Sequence, residues 1–411
     1  MKKVLVLTSS FPKNINDNVP MFVYDQLNSI KKINNNIDFL VLAPSIYDHQ
    51  IVDDTLLIQQ VRFNYFFIRK FEKLAGNGIL PAIKKNWFYS LLVPFLIFGQ
   101  ILSTIRLIKK YKPDLLYAHW FFPQAFTSYI IKKIYGVPYV FTTHALDAWI
   151  LKKIPLIGRL VAKKIILNSS AYTSDSEKAE SSLHSFLNFN EIDQKKSIVL
   201  PMPISFNLNL KISEKVLRIL KNPDLIDNYI LFIGRFASKK GVDKLIEIFN
   251  EVLIKFPNLK LILAGSGKEE KKYKLLIEQL NITNSIEFVG FVNSTEKKYL
   301  LDSSKISIIP SIVTKFGDEE GLPVVVLESL NSKTITLASY QSNAGEIIKN
   351  KINGFLFNPL DIYESSNLII EILNLDIDSR RKIFHLANQT SNKFIHYNSS
   401  KVFNAHLFND I

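Results

Sequence analysis

Short apolar runs alternate with longer segments of helical periodicity through the first half of this chain. The apolar runs are bounded by polar or turn-forming residues, as expected for buried strands. The predicted strands are Val4–Thr8, Ile37–Ala43, Val61–Ile68, Leu115–His119, Tyr139–His144, Ala171–Ser174 and Ile198–Pro201. Helical spacing is found between them, for instance in Met21–Ile33, Gln100–Tyr111, Gln124–Tyr135 and Asp175–Leu187. Strands that alternate with helices predict right-handed βαβ units on a parallel sheet.

The pattern changes after Pro201-Met202-Pro203, where a polar, Asn-rich stretch runs to about Asn228. A second set of strands follows at Ile230–Ile233, Lys260–Ala264, Ile286–Val289, Ile306–Ile309, Thr334–Ala338 and Gly354–Phe357. Helices are predicted near Asp243–Phe256, Glu269–Leu280, Glu296–Asp302, Pro323–Leu330 and Ile362–Leu373. The predicted fold class is α/β, with two Rossmann-like, doubly wound domains (1–205 and 206–392) facing an interdomain cleft. In such sheets ligands bind beyond the carboxyl ends of the strands.

Composition agrees with a folded protein of more than one domain. The chain has 411 residues, of which 47% are hydrophobic and 21% are charged. It has no cysteine, which excludes disulfides and thiolate metal sites and fits a reducing cytosol. The apolar part of the N-terminus is too short for a signal peptide and predicts the first strand instead. We therefore expect a cytoplasmic protein.

The formal net charge is +14, and most of this excess lies in residues 1–205. A basic first half suggests an anionic partner such as a membrane surface, a phosphorylated acceptor or a nucleic acid. Simple solubility explains the charge about equally well.

One apolar run in the basic half, Trp87–Leu102, is shorter than the ~20 residues that a spanning helix needs. Lysines precede it and cations follow it, as is typical of an interfacial helix on anionic lipid. A buried helix that covers a sheet is the alternative. We expect peripheral contact with the inner face of the cell membrane.

An acidic cluster, Asp318–Glu320, lies between a predicted strand and a predicted helix of the second half. Gly321-Leu322-Pro323 follows, and Pro323 suits the first turn of a helix. A helix N-terminus attracts anions, so this loop offers a place for a phosphate or another polar ligand. Glu328 lies about a turn and a half further along and is expected to face the same cleft. Taken alone, such a charge run is more typical of a solvated surface.

Two cations, Arg235 and Lys240, straddle the turn after the first strand of the second half. A guanidinium fork and a mobile ammonium are suited to neutralising a departing diphosphate, although ordinary surface cations are the alternative. The next strand ends in Gly265-Ser266-Gly267, which predicts a tight turn that lets the backbone approach a nucleotide. Glu270 occupies the third glycine position of the dinucleotide-binding fingerprint, which disfavours a nicotinamide enzyme.

Two histidines, His119 and His144, close predicted strands of the first half, where ligands bind a parallel sheet. Asp147 is close enough in the sequence to orient or charge its neighbour. A zinc site is the alternative, but no third ligand has suitable spacing, so no metal is expected. Asp376-Ile377-Asp378 formally matches a metal-binding triplet of another transferase architecture. Its place between two late helices predicts helix capping instead.

The second half contains Gly234-Arg235…Lys240-Gly241, Gly265-Ser266-Gly267, Glu320-Gly321-Leu322-Pro323…Leu327-Glu328 and Asn353-Gly354-Phe355-Leu356, in this order. The first half contains Ser10-Phe11-Pro12, His119-Trp120…Pro123 and Thr143-His144…Asp147. Together these motifs resemble the group 1 (family 4) retaining glycosyltransferases of GT-B architecture. The resemblance covers nearly the whole chain, and the second-half motifs are specific in combination.

The resemblance implies transfer of a sugar from a UDP- or GDP-linked donor, with retention at the anomeric carbon and with no metal or other cofactor. It implies catalytic roles for Glu320, His144, Arg235 and Lys240. It implies donor binding by Arg235, Lys240, Gly265, Gly267, Glu320, Gly321, Leu322, Pro323, Val324 and Glu328. It places Ser10, Phe11, His119 and Asp147 at the acceptor or in the cleft. A last helix, about 393–411, is expected to cross back onto the first domain.

Within these roles, the cations would hold the diphosphate, Glu328 the ribose hydroxyls and Glu320 the donor sugar. Three positions depart from the family pattern, namely Ala145, Ser342–Glu346 and Pro20-Met21. None of them removes a charged group that the chemistry needs.

The expected acceptor is a saccharide or lipid-linked saccharide, in the biosynthesis of cell-envelope, capsular or exopolysaccharides. One alternative is another GT-B enzyme, such as a nucleotide-sugar epimerase or a phosphorylase. A nucleic-acid-binding protein is the other alternative, and we do not expect it because arginine is scarce in the basic half and no recognition motif is visible.

Overall fold

The computed structural model describes residues 1–14, 17, 19, 21–45, 56–75, 79, 82–83, 86–144, 148–152, 154, 156–193, 196–204, 206, 208–226, 228–315 and 317–408. The chain forms two compact units. One consists of Met1–Pro203 and His396–Ile411, and the other of Ile204–Ile395.

The first unit contains a seven-stranded parallel sheet. Its strands are β1 (Lys2–Leu7), β2 (Ile37–Pro44), β3 (Gln59–Phe63), β4 (Leu115–His119), β5 (Tyr139–Thr143), β6 (Ala171–Ser174) and β7 (Ser197–Val199). The spatial order is β3-β2-β1-β4-β5-β6-β7. The winding reverses between β1 and β4, so the loops that follow these two strands diverge and leave room for a ligand.

Helices flank this sheet and bury its central strands. They are α1 (Phe22–Ile33), α2 (Val93–Tyr111), α3 (Phe126–Tyr135), α4 (Trp149–Lys152), α5 (Ile157–Asn168), α6 (Glu177–His184) and α7 (Phe189–Asp193). β4 and β5 are buried along their whole length. Burial on both faces explains why these strands appear in the sequence as continuous apolar runs.

The second unit contains a six-stranded parallel sheet in the order β10-β9-β8-β11-β12-β13. Its strands are β8 (Tyr229–Ile233), β9 (Lys260–Ala264), β10 (Ile286–Gly290), β11 (Ile306–Ile309), β12 (Ile335–Ser339) and β13 (Phe355–Phe357). Its helices are α8 (Glu214–Lys221), α9 (Val242–Leu253), α10 (Glu270–Gln279), α11 (Ser294–Ser303), α12 (Val324–Leu330), α13 (Ile362–Leu373) and α14 (Ile377–Ser391). Here the winding reverses between β8 and β11.

The α/β class with two doubly wound parallel sheets is confirmed, and each predicted strand corresponds to an observed one. The largest difference is at β3, which was predicted to continue to Ile68 and instead ends at Phe63. The cause is the buried carboxylate of Glu72. It accepts hydrogen bonds from the backbone N–H groups of Tyr65 and Phe66, at 2.7 and 3.2 Å. These N–H groups are therefore not available to a β-ladder.

The helical segments named from the sequence do not include α4, α5, α7 and α8. Of these, α8 lies within the stretch interpreted as a polar boundary. Val216 and Ile219 of α8 are buried, and their spacing of three places them on one face. A helix of two turns with so few apolar positions is too short for its periodicity to be recognised between polar segments. Asp376, in contrast, caps α14 as predicted, because it accepts the N–H groups of Asp378 and Ser379.

The last helix of the structure, α15 (His396–Phe408), belongs to the first unit. Phe403 and Leu407 are fully buried, and the Phe408 ring packs at 5.5 Å from the Tyr117 ring of β4. Asn34 after α1 donates a hydrogen bond to Asn404 at 3.0 Å. The C-terminal end of the chain thus forms part of the core of the first unit.

Candidate active site

The carboxyl edge of the second sheet gathers most of the predicted donor-binding residues. The loop Gly234–Gly241 follows β8, Gly265–Gly267 follows β9, and the segment from Pro310 to Pro323 follows β11. β8 lies between β9 and β11 in the sheet, so the three loops are neighbours. They surround the point where the winding reverses, which is where ligands bind in such sheets.

The glycines at 265 and 267 are required by contacts between two of these loops. A Cβ atom on Gly265 would lie 1.9 Å from the carbonyl oxygen of Gly234, and one on Gly267 would lie 2.4 Å from that of Phe236. The loops are also joined by a hydrogen bond of 2.9 Å from the Phe236 N–H to the Ser266 carbonyl. The turn therefore holds the Arg235 loop in place, which gives these glycines a structural function in addition to any contact with a nucleotide.

The loop that carries the cations is fixed on both sides. The Phe236 ring is buried against Tyr273 and Phe288, while Arg235 is exposed. Gly241 has φ +64°, and a Cβ there would lie 1.9 Å from the Pro310 carbonyl oxygen. Only glycine fits such a position without strain. The loops after β8 and β11 are thus in direct contact.

This contact brings Glu320 to the lysines. The Lys240 ammonium lies 3.1 Å from Glu320 Oε2, and the Lys239 ammonium lies 3.3 Å from Oε1. Lys239 also donates to the Glu319 carbonyl oxygen at 3.1 Å and lies 3.5 Å from the Asp318 carboxylate. We call Lys239, Lys240 and Glu320 the charged cluster. Its charges are largely shielded from solvent, since the side chains of Lys240 and Glu320 are 14% and 13% exposed.

The charged cluster keeps its carboxylate ionised. Burial opposes ionisation of Glu320, but the charges of Lys240 and Lys239 outweigh it and lower the Glu320 pKa to about 2. The loop backbone is held as well, because the Asn343 amide donates to the Glu320 carbonyl oxygen at 2.8 Å. Lys239 and Asn343 were not predicted as site residues, although Lys239 adjoins Lys240 and Asn343 lies within Ser342–Glu346.

The residues after Glu320 lead into α12, which begins at Val324 with Pro323 as its N-cap. Leu322 is buried in the apolar cluster beneath the loop, so its side chain packs inward. Glu328 is buried on α12 and forms an ion pair with Lys297 of α11. Sequence analysis missed this partner, which lies on a helix with no recognisable motif.

The carboxyl edge of the first sheet has a different character. His119 ends β4 and His144 follows β5, and Nδ1 of the first lies 3.2 Å from Nε2 of the second. The two rings are nearly parallel, and the ring of Trp120 lies 5.0 Å from that of His144. The structure thus brings the two predicted histidines into direct contact. Asp147 lies outside the described residues.

A carboxylate that was not predicted completes this group. Asp175 follows β6, and its Oδ2 lies 3.7 Å from Nδ1 of His144. Burial, with a smaller contribution from His144, holds the pKa of His119 well below its usual range. His119 is therefore neutral at neutral pH, and its Nε2 has no hydrogen-bond partner among the described residues.

The loop after β1 is anchored by β3. The Arg62 guanidinium donates to the carbonyl oxygens of Phe11 and Pro12 at 2.7 and 3.0 Å. Phe11 is fully buried, with its ring against Tyr24, and Ser10 is nearly so. The side chain of Phe11 therefore packs in the core in this structure, and the backbone of the loop is the part that Arg62 holds. Among the described residues, no three His, Cys, Asp or Glu side chains cluster in a way that could hold a metal ion.

Comparisons with known proteins agree with this geometry. Residues 216–389 match the family model "Glycosyl transferases group 1", and residues 65–204 match "Glycosyltransferase Family 4". The uncharacterized glycosyltransferase MJ1178 of Methanocaldococcus jannaschii is 26% identical over 86% of this chain and 93% of its own length. MJ1607 of the same organism is 32% identical over 42% of this chain, a match that spans 43% of that relative.

Two further proteins are informative. The amylovoran biosynthesis glycosyltransferase AmsK of Erwinia amylovora is 28% identical over 31% of each chain. The crystal structure of Anabaena Alr3699/HepE in complex with UDP has a TM-score of 0.68 and 17% identity, over 98% of this chain and 99% of that one. The two family models together cover most of the sequence, and the structural likeness extends over nearly all of it. The chain belongs to the group 1 and family 4 glycosyltransferases of GT-B architecture.

Proposed function

We propose that this glycosyltransferase moves a hexosyl group from a UDP- or GDP-linked donor to a saccharide or lipid-linked saccharide, with retention of configuration and without a metal ion. The observation that carries the proposal is the charged cluster, which lies beside the exposed Arg235 where the winding of the second sheet reverses. Three cations and one ionised carboxylate at such a point suit a donor that is anionic at one end and rich in hydroxyl groups at the other.

The reaction breaks the bond between the anomeric carbon and a phosphate oxygen, and the electron pair of that bond stays with the diphosphate. Arg235 and Lys240 stabilise the new negative charge by direct ion pairing. In this role they supply the positive charge that a divalent cation supplies in other transferases. The acceptor hydroxyl adds to the anomeric carbon on the face that the diphosphate leaves, and its proton passes to the departing phosphate.

The diphosphate competes with Glu320 for Lys240, because the two are ion-paired at 3.1 Å. Lys239 remains on the other oxygen of Glu320 and holds the carboxylate in its ionised state. We propose that Glu320, when it is released from Lys240, accepts hydrogen bonds from hydroxyls of the donor sugar. Glu328 binds the ribose hydroxyls in this proposal, and His144 contacts the transferred sugar.

Relatives support the choice of substrates. AmsK is named for amylovoran biosynthesis, and HepE has been crystallised with UDP, with UDP and glucose, and with UDP-glucose. We accordingly propose a nucleotide-sugar donor and a role in the assembly of an envelope polysaccharide. The protein would act in the cytoplasm, at the inner face of the cell membrane.

A panel of UDP- and GDP-sugars, screened by thermal shift, tests the donor. A ligand at about 100 times its Kd stabilises the folded state by about 2.7 kcal/mol, so a true donor raises Tm measurably. The best donor is then incubated with saccharide acceptors, in buffer containing either EDTA or Mg²⁺, and the anomeric configuration of the product is read by NMR.

We expect equal rates in the two buffers and a product with the anomeric configuration of the donor. An inverted product or an EDTA-sensitive rate would contradict the corresponding part of the proposal. Consumption of the donor without any acceptor would indicate an epimerase instead.

A further inference from the structure

The first half of α2 exposes a more apolar surface than the one that the helix buries. Along the inward face lie Leu96, Gln100, Thr104 and Ile108, of which two are polar. On the outward side, Leu91 just before α2 and Phe95, Phe98 and Leu102 within it are all apolar and exposed. A helix at the surface of a water-soluble protein normally has the reverse arrangement. The outward face of α2 is therefore suited to an apolar partner.

A second segment extends this apolar surface. The backbone of Tyr65 passes so close to α2 that a Cβ on Gly99 would lie 3.2 Å from its Cα. The next residue, Phe66, packs at 5.2 Å from the Phe95 ring and at 4.2 Å from the Phe67 ring. Phe67 is 80% exposed. Two segments that are distant in the sequence thus form one surface.

We call Phe67, Phe71, Trp87, Leu91, Phe95 and Phe98 the aromatic face. All six residues are at least 40% exposed, and four of them, Phe67, Trp87, Leu91 and Phe98, exceed 60%. A monomeric protein rarely leaves so many large apolar side chains together in water. The stretch Trp87–Tyr111 is also the one described segment that is long and apolar enough to cross a membrane.

Cations border the aromatic face. Arg69 and Lys70 stand between Phe67 and Phe71, and both are exposed. Beyond Leu102 the outward face of α2 continues with exposed Arg106, Lys109 and Lys110. The same line along the helix is thus apolar in its first half and basic at its end.

We propose that the aromatic face and its bordering cations dock the first unit on an anionic membrane surface, with α2 lying in the plane of the interface. The outward face of α2 from Phe95 to Lys110 is about 22 Å long at 1.5 Å per residue. If α2 stood upright, the cations would be far from the lipid phosphates, whereas a helix in the plane brings the apolar and basic parts into contact together.

Two other arrangements fit less well. Crossing the membrane would pull Leu96 and Ile108 out of the core of the first unit and expose Gln100 and Thr104 to lipid. A symmetric dimer through this face would bring its cations against the same cations of a second copy, and like charges repel. A lipid surface with negative headgroups offers an apolar environment to the aromatic face and negative charge to the bordering cations.

Co-sedimentation with vesicles tests this proposal without any donor or acceptor, so its result is independent of the transfer reaction. We expect the full chain to bind vesicles of equal parts phosphatidylcholine and phosphatidylglycerol at least tenfold more tightly than vesicles of phosphatidylcholine alone. Trp87 is 64% exposed, so its fluorescence emission should shift to shorter wavelength on binding.

The double variant Phe95→Ser with Phe98→Ser should weaken binding to the mixed vesicles at least tenfold. Lys109→Ser with Lys110→Ser should weaken it on the order of tenfold and remove most of the dependence on salt. The matched control is Phe189→Ser, which is 77% exposed on α7, between β6 and β7, whereas the aromatic face lies beside β3 at the other edge of the sheet. This control should bind as the unchanged protein does.

Equal binding to both kinds of vesicle, or unchanged binding by both double variants, would overturn the proposal. So would a dimer in light scattering that the Phe95 and Phe98 changes dissociate, since the face would then be a contact between copies. If the phenylalanine double variant fails to fold, as judged by its Tm, the single variant Trp87→Ser replaces it.

Discussion

The carboxyl edges of the two sheets have the same topology but carry different chemical groups. Each edge lies where the winding of a parallel sheet reverses, between β1 and β4 in one unit and between β8 and β11 in the other. The second edge carries largely shielded charges of both signs, set on loops whose close contact requires glycine. The first edge carries two stacked histidines among aromatic rings, and one of the two is held neutral by burial.

This difference indicates that the two edges interact with chemically different ligands. Partly shielded cations with a matched carboxylate suit a ligand whose negative charge increases as a bond breaks. An edge built mainly of aromatic rings and histidines suits a ligand that is recognised by its shape and hydroxyl groups. We therefore expect substitutions at the second edge to change transfer and diphosphate binding strongly, and those at the first edge to have smaller effects.

The largest effect is expected from Glu320→Gln. This change keeps the shape of the side chain but removes the charge that pairs with Lys239 and Lys240. We expect kcat to fall on the order of 1,000-fold, as when a preorganised electrostatic contact is lost, while binding of the nucleoside diphosphate stays the same or improves. Steady-state kinetics and calorimetric titration measure the two quantities. Glu319→Gln is the control, and unchanged turnover in Glu320→Gln would refute the assigned role.

The next largest effect is expected from Arg235→Ala combined with Lys240→Ala. Two charge-assisted contacts to phosphate are lost, so affinity for the nucleoside diphosphate should fall about 100-fold, with little change for the free sugar. A matched pair, Lys244→Ala with Arg381→Ala, removes one lysine and one arginine whose ion-pair partners lie on their own helices. Equal losses for diphosphate and sugar would show that these cations do not form a phosphate site.

A smaller effect is expected from Asp175→Asn at the first edge. The change removes the negative charge 3.7 Å from His144 Nδ1 and with it one constraint on the ring. Misplacement of a contacting group by about 1 Å can cost up to ~100-fold, and we expect a loss on the order of tenfold in kcat. KM for the donor should not change.

Asp175→Glu should restore part of the rate, which a purely structural role would not explain. Glu177→Gln, an exposed position two residues further along, is the control. A large rise in KM for the donor with an unchanged kcat would instead place Asp175 in donor binding.

The smallest effect concerns stability in acid. The pKa of His119 is lowered by folding, so the unfolded chain binds more protons below about pH 6.5 and stability falls as the pH decreases from there. The pKa of Glu320 is also lowered, to about 2, so its contribution is lost only below its unfolded value of 4.5. Acid should therefore weaken the first unit before the second.

Chemical unfolding at a series of pH values measures this order. His119→Gln should flatten the decline in the free energy of unfolding below pH 6.5, by up to about 1.4 kcal/mol per pH unit. An identical slope in the variant would show that His119 is not held neutral in the folded state.

Much of the fold and part of the site could be predicted from sequence. The central strands could be predicted because they are buried on both faces and appear as uninterrupted apolar runs. The loop at Gly234–Gly241 could be identified because its glycines and cations are close together in the chain. By contrast, the end of β3 was predicted wrongly, since it depends on Glu72, whose burial no local pattern reveals.

The sequence by itself thus determined two parallel α/β sheets, the loops at their carboxyl edges and the types of chemical group on those loops. Only the tertiary structure decided which groups meet. Lys240 and Glu320 are 80 residues apart in the chain, and Lys297 and Glu328 are 31 apart. It also decided that the first half of α2 turns apolar side chains outward. Such outcomes depend on how whole elements pack, and packing is a property of distances in space, which apolar periodicity along a single chain does not contain.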